Sequence, residues 1–190
     1  MGPNRAVSTT FIPAFVCPTD PNGGGKIATN SGPVSYCLSA GPASTWHLTR
    51  QHMVGMFSRQ SSVRVRDVKD GTSNTVMAAE VQLGDFGGAN NSNLYLSYRN
   101  SSAGALTSTG NSHSRKFNAS AANIAAIQAY HANCLAGLSS STHGNDDEAG
   151  RFWASGRVHW GPWFNTLMVP NTQGACDQDE SVTTMDIKSA

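Results

Sequence analysis

Helical periodicity appears at one place only in this sequence, and that constrains the fold more than any other feature. Near residues 124–138, apolar side chains recur at spacings of three and four residues, which places them on one face of a helix. The residues on this face are Ile124, Ile127, His131, Cys134 and Leu138. Most of the other positions are alanine, the strongest helix former. We therefore predict one main helix at about residues 120–136, with Ser120 as its N-cap.

Turn-forming residues divide the rest of the chain into short segments. The 190 residues include 19 glycines and 8 prolines, and only 13% are charged, which is typical of a turn-rich globular domain rather than a helical bundle. Residues 62–68 alternate strictly and predict a half-buried strand; residues 75–81 and 94–98 predict two more. We expect an α+β, β-rich fold: an antiparallel sheet or a two-sheet sandwich of about six to eight strands with one main helix.

Length and charge limit the number of domains and the class of partner. A chain of 190 residues makes one ordinary domain. Its 13 basic and 12 acidic residues give a net charge of +1, which lacks the electrostatic footprint of a nucleic-acid binder. No apolar run approaches the roughly 18–20 residues that a membrane span needs. We expect one globular head over residues 1–176 and a polar tail over residues 177–190, with no nucleic acid as partner and no membrane contact by this chain.

Four cysteines, an even count, are consistent with two disulfides. Three pairings are possible, and because no C-x-x-C motif occurs, neither a zinc ribbon nor a thioredoxin-like pair is indicated. We predict Cys17–Cys37, which closes a short loop rich in proline and glycine, and Cys134–Cys176, which ties the predicted helix to a late loop. The alternative is four buried thiols in a reducing compartment.

A first candidate cation site surrounds the turn between the strands predicted at residues 62–68 and 75–81. Its side chains are Asp67, Asp70, Asn74 and Glu80. Carboxylate and amide oxygens are the ligands of calcium, which takes six to eight of them at about 2.3–2.6 Å. The alternative is a structural turn in which these side chains cap main-chain amides.

Two further loops concentrate polar side chains. His143, Asp146 and Asp147 lie close together in a chain that is poor in charge, and a nitrogen ligand beside carboxylates suits zinc. Asp20 and Asn22, followed by three glycines, form another oxygen-rich loop. The alternative for His143, Asp146 and Asp147 is a solvated loop tip. The cofactor that these groups allow is a divalent metal ion, calcium first and zinc second.

Three segments, taken together, resemble a known protein family. Residues 4–21 contain Ile-Pro-Ala-Phe-Val-Cys-Pro-Thr-Asp-Pro, residues 65–80 contain Asp-Gly-Thr-Ser-Asn-Thr, and residues 150–176 contain Gly-Arg-Phe-Trp-Ala-Ser-Gly and Phe-Asn-Thr-Leu-Met-Val-Pro-Asn. In this order they resemble the large pseudopilin-like family of planctomycete-type bacteria, known as a domain of unknown function. The Asp-Gly-Thr-Ser-Asn-Thr block is the most specific of the motifs.

The resemblance implies export and a surface location, extracellular or on the cell. Members of the family are expected to have a prepilin-type leader, a long N-terminal helix and a β-rich head outside the membrane, with no agreed catalytic residues. The leader helix would precede Pro3, and a closing motif of His followed by Asp-Gly would come after Cys176; the sequence contains neither. The partners implied are other cell-surface or pilin-like subunits of the full-length protein.

We therefore expect an exported pilin-like or pseudopilin-like module with a structural or interaction role. One alternative is a divalent-metal-dependent ester or phosphoester hydrolase built on the same head. No His-Glu-x-x-His, Gly-x-Ser-x-Gly or Walker motif supports a specific catalytic set. Another is a carbohydrate-binding module that stacks sugars on Trp153, Trp160 or Trp163, although these indoles also suit a packed core.

Overall fold

A computed structural model describes the chain in separate stretches. They are residues 4–23, 30–42, 55–57, 62–84, 98–99, 121–138, 149–156, 161–172 and 176–177. The α-helices are α1 (Arg5–Ser8) and α2 (Ala121–Leu138). The strands are β1 (Tyr36–Ser39), β2 (Ala78–Glu80), β3 (Tyr98–Arg99), β4 (Trp163–Phe164) and β5 (Cys176–Asp177). Short 3₁₀ helices span Pro13–Phe15, Val65–Asp67 and Thr72–Asn74.

A three-stranded sheet in the order β2-β1-β4 organises the described part of the chain. Strand β1 pairs antiparallel with β2, where Cys37 faces Ala79, and parallel with β4, where Leu38 faces Trp163. Strands β3 and β5 form a separate parallel pair. The α+β class is therefore confirmed. The expectation of purely antiparallel pairing is wrong, because the long connection between β1 and β4, which includes α2, permits a parallel crossover.

The number of strands stays a prediction. The described residues contain five strands, and the expected six to eight would have to include residues outside them. The second strand predicted from the sequence, at residues 75–81, is present as β2 over its later part. Of the strand predicted at residues 94–98, only Tyr98 falls within the described residues, where it begins β3.

The strand predicted over residues 62–68 is wrong. The segment forms the 3₁₀ helix Val65–Asp67, and Val65 is 74% exposed instead of half-buried. The Asp67 carboxylate accepts a hydrogen bond from the Arg64 amide at 3.0 Å, and the Asp67 amide donates to the Arg64 carbonyl at 2.8 Å. Local side-chain bonds of this kind offer the backbone an alternative to a sheet ladder.

Helix α2 is present where the sequence predicts the main helix, and the predicted face is buried in part, at Ile127 and His131. Ile127 and Tyr130 are buried, whereas Ile124 and Leu135 are 40% and 38% exposed. The buried side is therefore turned away from Ile124, which the predicted face included. No described helix combines the length and apolar character that crossing a membrane would need.

The core of the described part lies under the inner face of the three-stranded sheet. Cys37, Val81 and Phe164 are buried together, with Ala79 packed against them. A second small cluster joins Val16 to Leu83. Because Val16 lies in the N-terminal part of the chain and Leu83 just after β2, this contact fastens the N-terminal segment to the sheet.

Gly150 allows two distant segments to approach closely in this core. Its carbonyl accepts a hydrogen bond from the Val34 amide at 2.9 Å, and its φ of 69° lies in the left-handed region. A Cβ atom at this position would lie 2.8 Å from the Leu83 side chain. Both the conformation and the lack of space favour glycine here.

Candidate functional site

The Asp20 carboxylate is the centre of a buried polar cluster in the N-terminal segment. Asp20 is 8% exposed. Its Oδ1 accepts a hydrogen bond from the Asn22 amide at 2.9 Å, and its Oδ2 accepts one from the Leu83 amide at 2.9 Å and one from the Ser35 hydroxyl at 3.4 Å. These donors compensate the carboxylate for the loss of water. We call Asp20, Asn22, Ser35 and the Leu83 backbone the Asp20 cluster.

Two further contacts extend the Asp20 cluster. The Asn22 carboxamide donates to the Leu83 carbonyl at 2.7 Å, so both backbone groups of Leu83 are held by the 20–22 loop. The fully buried Ser35 hydroxyl accepts from the Cys17 amide at 3.2 Å. The side chains of the oxygen-rich loop thus bond to other parts of the same chain. They join the loop to the segments that contain Ser35 and Leu83.

The first predicted cation group is used in local turns. Asp67 caps the Arg64 amide and lies 3.9 Å from the Arg66 guanidinium on the surface. The Asn74 carboxamide donates to the Asp70 carbonyl at 2.9 Å. This arrangement corresponds to the structural alternative, in which side chains satisfy turn backbone.

Glu80 belongs to strand β2 and not to this turn. It sits on β2 directly opposite Tyr36 of β1. Within the described stretches, no three histidine, cysteine, aspartate or glutamate side chains come together in a group that could hold a metal ion. The calcium site at Asp67, Asp70, Asn74 and Glu80 therefore stays a prediction.

The other predicted metal residues and one predicted disulfide are not described. His143, Asp146 and Asp147 lie outside the described residues. The backbone of Cys134 and Cys176 lies in α2 and β5, but their side chains are also outside the described part. The second metal site and the Cys134–Cys176 bridge therefore stay predictions.

The predicted Cys17–Cys37 bridge is not formed in this structure. Both residues are buried and neither belongs to a disulfide. Cys17 Sγ lies 3.1 Å from Thr19 Oγ1, and a hydrogen bond joins it to the Tyr36 side chain. Cys17 therefore contacts Tyr36, whereas Cys37 packs with Val81 and Phe164.

The surroundings of Tyr36 change its acidity. Loss of hydration is the main cause that raises the pKa of Tyr36 above its usual value of 10.0. The negative charges of ionised Cys17 and of Glu80 oppose ionisation of the phenol, and the Cys17 hydrogen bond acts in the same direction. Tyr36 therefore stays a neutral phenol beside a thiol and a carboxylate at ordinary pH.

The two described tryptophans of the proposed sugar platform are tied to the backbone. The indole N–H of Trp153 donates to the Thr10 carbonyl at 3.1 Å, and that of Trp163 donates to the Ser155 carbonyl at 3.3 Å. Trp153 also meets Phe15 edge to face, with ring centroids 6.0 Å apart. The Trp153 indole therefore connects two segments that are far apart in sequence, and the Trp163 indole connects β4 to the nearby segment that contains Ser155. Trp160 lies outside the described residues.

A comparison with protein families decides the assignment. One family model matches residues 2–190, almost the whole chain. The chain belongs to the family described as a protein of unknown function, DUF1559. Comparisons with curated proteins and with solved structures found no match. The expectation of a domain of unknown function is confirmed at this level.

The outer face of the DUF1559 sheet presents several side chains to solvent. Paired residues share a face of a sheet, so Tyr36, Leu38, Ala78, Glu80 and Trp163 lie on this side. Tyr36 is 43% exposed, and Ala78 and Glu80 are exposed. Sequence analysis missed this face because it depends on the pairing of strands from three distant parts of the DUF1559 chain. It offers aromatic and aliphatic contact area beside one carboxylate.

Proposed function

We propose that this chain is the globular head of an exported pilin-like or pseudopilin-like protein and serves as a structural or interaction module. The observation that carries the proposal is the Asp20 cluster. The buried carboxylate uses both oxygens to accept from donors of its own chain, so the most conspicuous acid of the N-terminal motif holds the fold together. A head that presents a fixed surface needs this kind of internal polar anchor.

The other motif residues support the same proposal. Asp67 and Asn74 belong to the most family-specific segment, and their side chains bond to turn backbone. Asp20, Asp67 and Asn74 thus have structural roles, because their side chains bond to backbone groups of the same chain. The exposed side of the sheet, with Tyr36 and Ala78, supplies surface for contact with other subunits.

The alternatives receive less support. A sugar platform needs openly exposed indole faces, whereas Trp153 and Trp163 are both partly buried and Trp153 packs edge to face against Phe15. A metal-dependent hydrolase would have to use groups such as His143, Asp146 and Asp147, which lie outside the described residues.

Surface location is tested by protease treatment of intact source cells, followed by detection with an antibody raised against this chain. We expect the signal to disappear from intact cells while a cytoplasmic marker protein stays whole. Signal that is lost only after the cells are lysed would contradict export.

The non-enzymatic role is tested with the purified chain on panels of esters, phosphoesters and glycosides. Assays are run with a chelator and with added calcium or zinc. We expect no turnover in any condition. Activity that a chelator removes and one metal restores would instead establish the hydrolase, whatever the outcome of the surface experiment.

A further inference from the structure

Asn22 is followed by a glycine, and this is the only Asn-Gly pair among the 190 residues of the sequence. An asparagine carboxamide can react with the backbone nitrogen of the next residue, and glycine hinders this least because it has no Cβ atom. The Gly23 nitrogen attacks the side-chain carbonyl carbon of Asn22, ammonia leaves, and a cyclic succinimide forms. Water then opens the ring to aspartate or isoaspartate. The net reaction converts a carboxamide and water to a carboxylic acid and ammonia.

The folded chain holds both reacting groups of this pair in other bonds. The Asn22 carboxamide donates to the Leu83 carbonyl at 2.7 Å, and the amide of the buried Gly23 donates to the Asp20 carbonyl at 3.0 Å. The Gly23 nitrogen has to give up its proton in order to attack, and a buried, hydrogen-bonded amide releases its proton only when the structure opens locally. Reaction therefore requires that the Asp20 cluster open first.

The product of the reaction does not fit the closed Asp20 cluster. A carboxylate oxygen would replace the donating NH₂ group and face the Leu83 carbonyl oxygen, so two acceptors would oppose each other in a partly buried place. Isoaspartate lengthens the main chain next to Gly23, where a Cβ atom would already lie 2.7 Å from Val16 Cγ1 and 3.2 Å from the Cys17 carbonyl oxygen. The closed site therefore accepts the carboxamide and rejects both products.

We propose that Asn22 is a modification site whose deamidation is controlled by the Asp20 cluster. While the cluster is closed, the carboxamide persists. When the cluster opens, water converts the carboxamide to a carboxylate, and the 20–22 loop no longer binds Leu83. A reversible local opening is thus recorded as a permanent covalent change. The inference does not rest on export, since the reaction needs only this chain and water.

Peptide mass spectrometry of the full chain tests whether the fold controls the reaction. The protein is incubated at mildly alkaline pH in water labelled with heavy oxygen, once folded and once in urea, and is then digested at acidic pH. The label marks each carboxylate that forms during the incubation. We expect Asn22 to be converted at least about tenfold more slowly in the folded protein than in urea. Equal rates in the two samples would overturn the proposal.

Two variants distinguish opening of the cluster from general instability. Ser35→Ala removes a hydroxyl that donates to Asp20 Oδ2 at 3.4 Å, and it should accelerate deamidation of the folded chain about threefold or more. The rate in urea should not change. Ile127→Ala is the matched control, because it removes buried atoms from α2 instead, and its folded-state rate should stay close to that of the wild type. Equal rates for Ser35→Ala and the wild type, or equal acceleration by both variants, would contradict control by the cluster.

Sub-denaturing urea provides a second measurement, which replaces Ser35→Ala if that variant does not fold. In the wild type, deamidation of Asn22 should rise at urea concentrations below those at which tryptophan fluorescence reports global unfolding, because local opening requires less free energy than global unfolding. Deamidation that rises only together with global unfolding would refute local control.

Asn22→Asp tests the irreversibility, because it introduces the shorter of the two products directly. The variant should unfold at a lower urea concentration than the wild type, whereas Asn30→Asp, at an exposed position, should unfold like the wild type. Deamidated protein, separated by ion exchange through its added negative charge, should resemble Asn22→Asp or be less stable. If Asn22→Asp and the wild type unfold at the same urea concentration, the product fits the closed cluster and the proposal is wrong.

Discussion

Asp20 illustrates how much of this fold depends on single polar residues. It is the buried acid whose two oxygens bond to Asn22, Ser35 and Leu83. Removing a buried hydrogen-bond acceptor lowers stability strongly, because its donors are then left without water or a partner. The cost of losing Asp20 should therefore exceed that of losing an exposed acid in a turn.

Asp20→Asn is expected to lower the free energy of unfolding by about 2–4 kcal/mol. The introduced amide replaces an acceptor with a donor that faces either the Asn22 or the Leu83 amide. Asp67→Asn is the matched control, because Asp67 caps an exposed turn, and it should cost less than about 1 kcal/mol. Urea unfolding followed by tryptophan fluorescence measures both; equal losses would show that the Asp20 cluster is not an anchor.

Tyr36 is expected to ionise at a higher pH than a free tyrosine side chain. Its pKa is raised above 10.0 by loss of hydration, then by Cys17 and Glu80. Alkaline titration at the phenolate absorption band should show a late component that Tyr36→Phe removes and that Cys17→Ser moves to lower pH. Since the folded state holds the proton more tightly, this group's contribution to stability is present below pH 10 and is lost as the pH rises through the folded pKa. A titration curve that Tyr36→Phe leaves unchanged in shape would contradict the assignment.

At the scale of elements, the orientation of α2 buries Ile127 and leaves Ile124 exposed. Substitution of these two residues should therefore differ in its effect on stability. Ile127→Ala should lower the free energy of unfolding by about 2–4 kcal/mol because Ile127 is buried. Ile124→Ala removes the same atoms from a position that is 40% exposed and should cost less than about 1 kcal/mol. Thermal or urea unfolding at low protein concentration measures both effects. A larger loss for Ile124 than for Ile127 would contradict the burial of these two residues in the structure.

Sequence patterns predicted elements best where the pattern itself decides the structure. Helix α2 was predictable because alanine-rich sequence and spacing agree over 18 residues. The alternation at residues 62–68 predicted a strand wrongly, because a local hydrogen bond from the Arg64 amide to Asp67 stabilises a turn of helix instead. The predicted face of α2 contained both Ile124 and Ile127 and is right only in part, because the neighbouring surface, and not the helix itself, decides that Ile127 is buried and Ile124 exposed.

The sequence indicated which residue types form the candidate site, but not which groups their side chains bond to. Asp20 and Asn22 stood out as oxygen-rich sequence, yet the partners of Asp20 lie 15 and 63 residues away at Ser35 and Leu83. Neither partner carries a local signal, since one is a serine in a loop and the other contributes its backbone. Oxygen ligands for a cation and oxygen acceptors for amides look alike until the fold supplies the donors.

At the scale of the whole molecule, the fold is closed by contacts between distant segments. The central sheet joins β1 to β2 and to β4, from three separate parts of the chain. The Gly32 and Phe152 bridge and the Val34 to Gly150 hydrogen bond add further links of the same kind. Long-range pairing of this type is slow to form. Compact anchors such as the Asp20 cluster therefore matter for holding the ends of these segments in register.

The two described cysteines connect this architecture to the compartment in which the chain folds. Exported proteins meet an oxidising environment where neighbouring cysteines pair, but Cys17 and Cys37 are both buried and neither belongs to a disulfide in this structure. We expect alkylation of denatured, unreduced protein to label both Cys17 and Cys37, and native protein to react slowly because both are buried. Mass spectrometry of the peptides reads the labels, and a reduced sample supplies the fully labelled reference. A peptide in which Cys17 is linked to Cys37 would contradict the structure, in which both thiols are free.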